Sequence, residues 1–91
     1  MASSSFNHTA IKTYSGTATT GANSAFFVTL PEGAKYVIRA DLGNYPCMIT
    51  SFSQATRQLG IVVTQFQNLG SNIYGMGGVT NTNVSFTIYY V

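Results

Sequence analysis

Apolar and polar side chains alternate along most of this chain with a period of two, which is the spacing of a half-buried β-strand and not of a helix. The clearest stretch is residues 83–91, in which one face consists of Val84, Phe86, Ile88 and Tyr90. Similar stretches occur at residues 11–20, 24–30, 35–42, 46–53 and 61–66. We therefore predict strands in all six stretches. Besides the face at the end of the chain, the expected core residues are Phe26, Val28, Ile38 and Val63.

Clusters of Gly, Pro and Asn separate these strands, at residues 20–23, 30–34, 42–46 and 69–72. Short strands divided by such turns are typical of an antiparallel sandwich or barrel. We predict an all-β fold, specifically an antiparallel β-sandwich or jelly-roll-like single domain over residues 13–91, preceded by an N-terminal arm at residues 1–12. We expect a loop at residues 51–59 and an irregular stretch at residues 67–82, interrupted by a short strand at Ile73 and Tyr74. Gly16 is expected to mark a bulge or a bend in the first strand.

Charged residues make up 7% of the 91 residues, against about 25% in a typical soluble domain. The net charge of +2 rests on four basic and two acidic residues, too few for the basic patch that nucleic-acid binding requires. A domain of this size has a small stability margin, and a single cysteine cannot form an intramolecular disulfide. Association is the remaining common way to stabilise so small a domain, so we expect an oligomer.

Membrane insertion is not expected, because the sequence has no run of about 18 apolar residues. The first five residues lack the basic and apolar regions of a signal peptide. Two explanations remain open. Either the protein is synthesised in the cytoplasm and leaves it by another route, or the sequence is a domain excised from a longer chain.

Residues suited to catalysis are scarce. Cys47 and His8 are the one conceivable nucleophile and base, but we favour Cys47 as a small apolar core residue. We interpret Asp41 and Arg39, two residues apart on one strand, as an ion pair at a surface or interface, and Glu32 as a turn residue. An active site shared between subunits is the alternative for the two carboxylates. We predict that the protein is not an enzyme.

Cofactor sites are equally weak. One cysteine and one histidine cannot build a zinc site, and two carboxylates are few for calcium. The glycine-rich segment 75–78 lacks the Lys-Ser/Thr pair of a phosphate-binding loop. We therefore expect no metal and no cofactor, and interpret this segment as a flexible loop or a close approach between subunits.

Side chains suited to binding are plentiful. The chain has six tyrosines, and several asparagines lie in or near predicted turns; this composition is typical of adaptable recognition surfaces. Sugars bind by stacking on aromatic rings and by neutral hydrogen bonds. The candidate ligand-binding residues are therefore Asn44, Tyr45, Asn72 and Tyr74. The alternative for each tyrosine is a place in the core or in a subunit interface.

The last 14 residues, 78–91, combine a Thr/Asn-rich loop with an alternating aromatic strand. This segment resembles the final strand in the C-terminal head domains of bacteriophage tail fibres and receptor-binding proteins. The strand at residues 35–40, which follows a Pro-Glu-Gly turn, is similar to that family as well.

The resemblance implies a homotrimeric head that attaches a virion to a host-surface glycan or protein without chemistry. In that family the N-terminal arm would be the remnant of a shaft or the segment that joins the particle. We expect the exposed recognition surface at residues 43–46 and 67–82, because loops on a rigid scaffold carry binding. Two alternatives stay open: a capsid decoration or assembly protein that binds other virion proteins, and, less favoured, a small hydrolase that uses Cys47 or a shared Asp41 and Glu32 site.

Overall fold

The computed structural model of the protein describes residues 10–91, so most of the predicted N-terminal arm, including His8, lies outside the described residues. The strands are β1 Lys12–Thr19, β2 Ala25–Thr29, β3 Val37–Asp41, β4 Cys47–Ser53, β5 Gln58–Gly70, β6 Ile73–Gly78 and β7 Asn83–Tyr90. All the pairings between them are antiparallel, which confirms the predicted fold class. Within residues 10–91, no helix has the length and apolar character needed to cross a membrane.

The strands form two sheets. The short sheet has the order β1-β7-β3, and the long sheet has the order β2-β5-β4 with β6 paired to the far part of β5. Apolar residues from the inner faces of both sheets make one sandwich-like core. At its centre, the rings of Phe26 on β2 and Phe86 on β7 stack with centroids 5.9 Å apart. The predicted core positions that are confirmed as buried are Phe26, Val28, Val63, Val84, Phe86, Ile88 and Tyr90.

Ile38 is not in the core, and that prediction is wrong. Its side chain is 48% exposed. Val37 and Arg39 pair with adjacent residues of β7, so Ile38 is the extra residue of a β-bulge. An extra residue reverses the alternation that precedes it, and for this reason Val37 packs against the core while Tyr36 is exposed.

The predicted bulge at Gly16 is also wrong, because the register between β1 and β7 is unbroken from Lys12 to Thr19. Gly16 lies opposite Phe86, and a Cβ at this position would come within 3.1 Å of the Phe86 ring. The glycine therefore leaves room for an aromatic side chain at the edge of the core, which is another common reason for a glycine in a strand.

The expectation of an irregular stretch at residues 67–82 is wrong for most of its length. β5 continues to Gly70, β6 occupies Ile73–Gly78, and only residues 79–82 form an irregular connection. Residues 54–57, by contrast, form the predicted turn between β4 and β5. By propensity alone, the glycines and asparagines of residues 67–78 disfavour a strand, but cross-strand pairing overrides that weak preference.

The outer face of the short sheet is polar. The hydroxyl groups of Ser15 and Thr87 share a hydrogen bond of 3.0 Å across β1 and β7. The guanidinium group of Arg39 lies 4.1 Å from the centre of the Tyr89 ring and 3.8 Å from the Asp41 carboxylate. Both partners of this ion pair are about half exposed, so the pair contributes on the order of 0–1 kcal/mol to the free energy of unfolding.

Two isoleucines provide a direct test of the bulge. Ile88→Ala removes a fully buried side chain and is expected to lower the free energy of unfolding by about 2–5 kcal/mol. Ile38→Ala makes the same chemical change in the bulge and is expected to cost less than about 1 kcal/mol. Urea denaturation at one fixed protein concentration measures both. Equal losses for the two variants would contradict the assignment of Ile38 to the surface.

Candidate functional site

Strand β5 is much longer than the sandwich to which it belongs. β2 pairs with its residues 58–62 and β4 with its residues 58–63. The last backbone hydrogen bond from β5 to β4 and its preceding turn runs from the Thr64 amide to the Pro46 carbonyl, at 2.9 Å. From Thr64 to Gly70 the strand pairs with β6 alone. Residues 64–78 thus form a two-stranded hairpin that extends beyond the sandwich, and we call this segment the hairpin arm.

The tip of the hairpin arm is a two-residue turn. Ser71 and Asn72 have φ angles of 51° and 62°, and positive φ at both central positions is the mark of a type I′ turn. Asparagine tolerates this left-handed conformation better than most residues. Next to the turn, the Asn68 carboxamide oxygen accepts a hydrogen bond of 2.8 Å from the Gly70 amide. The backbone conformation at the tip is therefore defined by local contacts, and Asn72 is exposed there.

One face of the hairpin arm carries large apolar side chains. Phe66 and Met76 are direct cross-strand partners. Tyr74 lies on the same face, two residues closer to the tip than Met76. The Phe66 and Tyr74 rings stack with centroids 6.1 Å apart and an interplanar angle of 17°. The three side chains remain 66%, 50% and 57% exposed, in the order Phe66, Met76, Tyr74. Such a row of aromatic and thioether groups in solvent marks an interaction surface.

The opposite face of the hairpin arm explains the glycine-rich segment. Gln67 folds across Gly77, where a Cβ would lie 2.5 Å from the Gln67 amide nitrogen, and this nitrogen donates a 3.2 Å hydrogen bond to the Gly78 carbonyl. Leu69 lies over Gly75 in the same way. The glycines of β6 therefore make room for side chains of β5. They belong to a strand, and the interpretation of this segment as a flexible loop is wrong.

The apolar face of the hairpin arm continues onto the body of the long sheet. Met48 pairs with Val62 on the outer face, and Phe27 lies on the same face opposite Gly60. Met48 and Phe27 are 63% and 64% exposed. Counted along β5, the row from Phe27 to Tyr74 spans roughly 25 Å at about 3.3 Å per residue. We call this row the apolar band; its members are Phe27, Met48, Val62, Phe66, Tyr74 and Met76.

The predicted ligand-binding residues fall into two separate places. Asn72 and Tyr74 belong to the tip of the hairpin arm, whereas Asn44 and Tyr45 form the turn between β3 and β4. The second turn lies level with Thr64, so the two places are about 20 Å apart along β5. Asn44 is exposed, but the Tyr45 ring packs partly against the core. The structure does not bring the four residues into one site.

Cys47 and Asp41, two of the candidate catalytic residues within the described part of the chain, each contact neighbouring groups. The Cys47 thiol is half-buried and donates a long contact of 3.6 Å to the Ala40 carbonyl. Burial raises the pKa of the Cys47 thiol, and the negative charge of Asp41 raises it further, so the thiol is protonated at neutral pH. Asp41 itself pairs with Arg39 and accepts a hydrogen bond from the Gly43 amide. No cluster of metal-ligating side chains occurs among residues 10–91.

The predicted recognition surface at residues 67–82 contained Met76, but Phe66 was not identified as a surface residue from the sequence. The signal was present, since Phe66 has the same alternation phase as Val62 and Thr64, which is opposite to that of the buried Ile61 and Val63. This phase places Phe66 on the outer face once β5 is known to continue past residue 66. What the sequence did not show was the continuation of the strand.

No protein-family description, no curated protein and no solved structure matches this chain.

The raised pKa of Cys47 predicts slow alkylation. At pH 8 the folded chain is expected to react with iodoacetamide more slowly than the same chain unfolded in urea, because only the thiolate reacts and folding disfavours it. Asp41→Asn removes the negative charge, keeps a hydrogen-bond acceptor for Gly43, and should speed the reaction of the folded protein. Mass spectrometry of timed samples gives the rates. A folded thiol that reacts faster than the unfolded one would restore Cys47 as a candidate nucleophile.

Proposed function

We propose that the protein is a non-enzymatic structural and binding module of a virion, a fibre head that attaches to a host-surface receptor or glycan as a homotrimer. The observation that carries this proposal is the hairpin arm, which presents exposed aromatic and amide groups beyond the body of the sandwich. The resemblance of residues 78–91 to phage fibre heads supplies the biological setting. The protonated thiol of Cys47 and the ion-paired carboxylate of Asp41 give the hydrolase alternative no support.

The tip of the hairpin arm has the chemistry of a weak carbohydrate-binding site. Asn72 is exposed and offers an amide that can both donate and accept hydrogen bonds, and Tyr74 offers a hydroxyl group. The described strands near the tip carry no charged side chain, which favours a neutral ligand. One such contact is weak, but three tips on one particle would bind with much higher avidity because the second and third contacts form at high effective concentration.

Native mass tests the homotrimer. Light scattering on a size-exclusion column, run at low and high protein concentration, is expected to give a mass near three times 9.7 kDa. The physical reason is the small size and low charge of the domain, for which association is the available source of additional stability. A clean monomer at every concentration would overturn the homotrimer.

Attachment is tested at the tip of the hairpin arm. Labelled protein is incubated with a panel of bacterial cells and with a glycan array. Asn72→Ala and Tyr74→Phe are each expected to weaken binding about ten-fold, the effect of losing roughly 1.4 kcal/mol of hydrogen bonding. Tyr74→Phe keeps the ring that stacks on Phe66 and removes only the hydroxyl group. Asn44→Ala is the matched control in the distant turn, and the tip assignment fails if this variant alone loses binding.

A second function, capsid decoration or virion assembly, is favoured by one specific observation. The apolar band is more typical of a protein–protein contact than of a sugar-binding site, because most of its exposed side chains are phenylalanine and methionine. Cosedimentation with purified capsids separates the two functions. Binding to capsids but not to cells or glycans would support assembly over host attachment.

A further inference from the structure

The long sheet carries no charged residue at all. The sequences of β2, β4, β5 and β6 contain no Lys, Arg, Asp or Glu. The six charged residues of the chain lie on β1, on β3 or in turns; they are Lys12, Glu32, Lys35, Arg39, Asp41 and Arg57. The two outer faces of the sandwich therefore differ in kind. One bears hydroxyl groups and an ion pair, and the other bears the apolar band.

The exposed area of the apolar band is large for a protein of this size. A large side chain covers roughly 150–250 Å², so five that are half to two-thirds exposed present on the order of 500 Å² of apolar surface. That value lies at the upper end for a free monomer, whose largest patch is typically about 300–600 Å². Two such faces in contact, with the polar atoms between them, reach the lower end of a specific interface, which buries about 1,200–2,000 Å² in total.

Among the described strands, β6 pairs with β5 alone. An isolated two-stranded hairpin is marginally stable in water. β5 has a second backbone edge at residues 65–70, with no partner strand among the described residues. Natural proteins usually protect such an edge with charges or proline, and this segment contains neither. Both observations indicate a segment that is covered by another chain.

We infer that the apolar band is the surface through which copies of this chain associate with one another. The inference rests on the proposed homo-oligomer and names the contact that forms it. A second copy is the occupant that the charges favour, because two identical uncharged faces neither repel each other nor require a complementary partner. An anionic membrane surface would instead call for clustered Lys or Arg, and this sheet has none.

Phe66 and Met76 form the centre of this contact, and Tyr74 forms its outer end. Aromatic residues and methionine are enriched in the buried centres of interfaces, where charged residues are depleted. A tyrosine at the rim buries its ring and keeps its hydroxyl group in solvent. The same hairpin arm thus associates through its face and leaves the turn at Ser71 and Asn72 free for a ligand.

The test compares matched substitutions in the full chain. Phe66→Thr removes the centre of the contact and keeps good strand propensity. Tyr36→Thr is the control, because this aromatic residue is 63% exposed but precedes β3 of the short sheet and is not a member of the apolar band. Met48→Lys places a charge at the end of the apolar band that lies on the body of the sandwich. This position is outside the hairpin arm. Circular dichroism is used to check that each variant keeps its strand content.

Dissociation constants come from light scattering or sedimentation over a concentration series. Phe66→Thr and Met48→Lys are expected to raise the constant at least ten-fold, and Tyr36→Thr should leave it within a factor of two. Folded variants at both positions that keep the wild-type constant would overturn the inference while leaving the homotrimer standing. A wild-type dimer that is sensitive to Phe66→Thr would support the apolar band and overturn the homotrimer. A monomeric wild type that sediments with phosphatidylcholine vesicles or with capsids would overturn self-association through this surface.

Discussion

The length of β5 is the constraint on which the rest of the molecule depends. Leu59, Ile61 and Val63 have no exposed surface and form the centre of the long sheet. The same strand then leaves the body and carries Phe66 into solvent. Because alternation along a strand is fixed, the residues between the core positions belong to the outer face, and that face continues without interruption into the hairpin arm. One strand therefore supplies both the core and the surface proposed for binding.

The two sheets divide the remaining tasks. The short sheet faces solvent with hydroxyl groups, an arginine on a tyrosine ring and an exposed ion pair, and this surface keeps the molecule hydrated. Its inner face contributes Phe86, which stacks on Phe26 of the long sheet. The buried hydroxyl group of Thr20, a residue that is 1% exposed, accepts a hydrogen bond of 3.0 Å from the Thr82 amide. The strands of the long sheet carry no charged residue, so its outer face is available for contact with another molecule.

Sequence periodicity predicted the class of fold and most of the core because alternation on β2 and β7 is regular and each strand buries one face. It failed at Ile38, where one extra residue reversed the pattern, and a bulge has no sequence signature of its own. It failed again along β6, whose glycines disfavour a strand but fit beneath Gln67 and Leu69. The four candidate ligand-binding residues were chosen by residue type and by their position near predicted turns. Their separation depends on the length of β5, which residue types alone do not determine.

Association and attachment reinforce each other in this architecture. Packing the apolar bands of several copies together would give every hairpin arm the neighbours that a lone two-stranded hairpin lacks, and so would order the turn at its tip. It would also hold the tips a few nanometres apart, a spacing at which effective concentrations reach the order of millimolar. A neutral tip with one tyrosine and one asparagine would bind a sugar only weakly by itself. The proposed attachment therefore depends on the apolar band, because only an assembly that presents several tips at once would convert such weak contacts into stable adhesion.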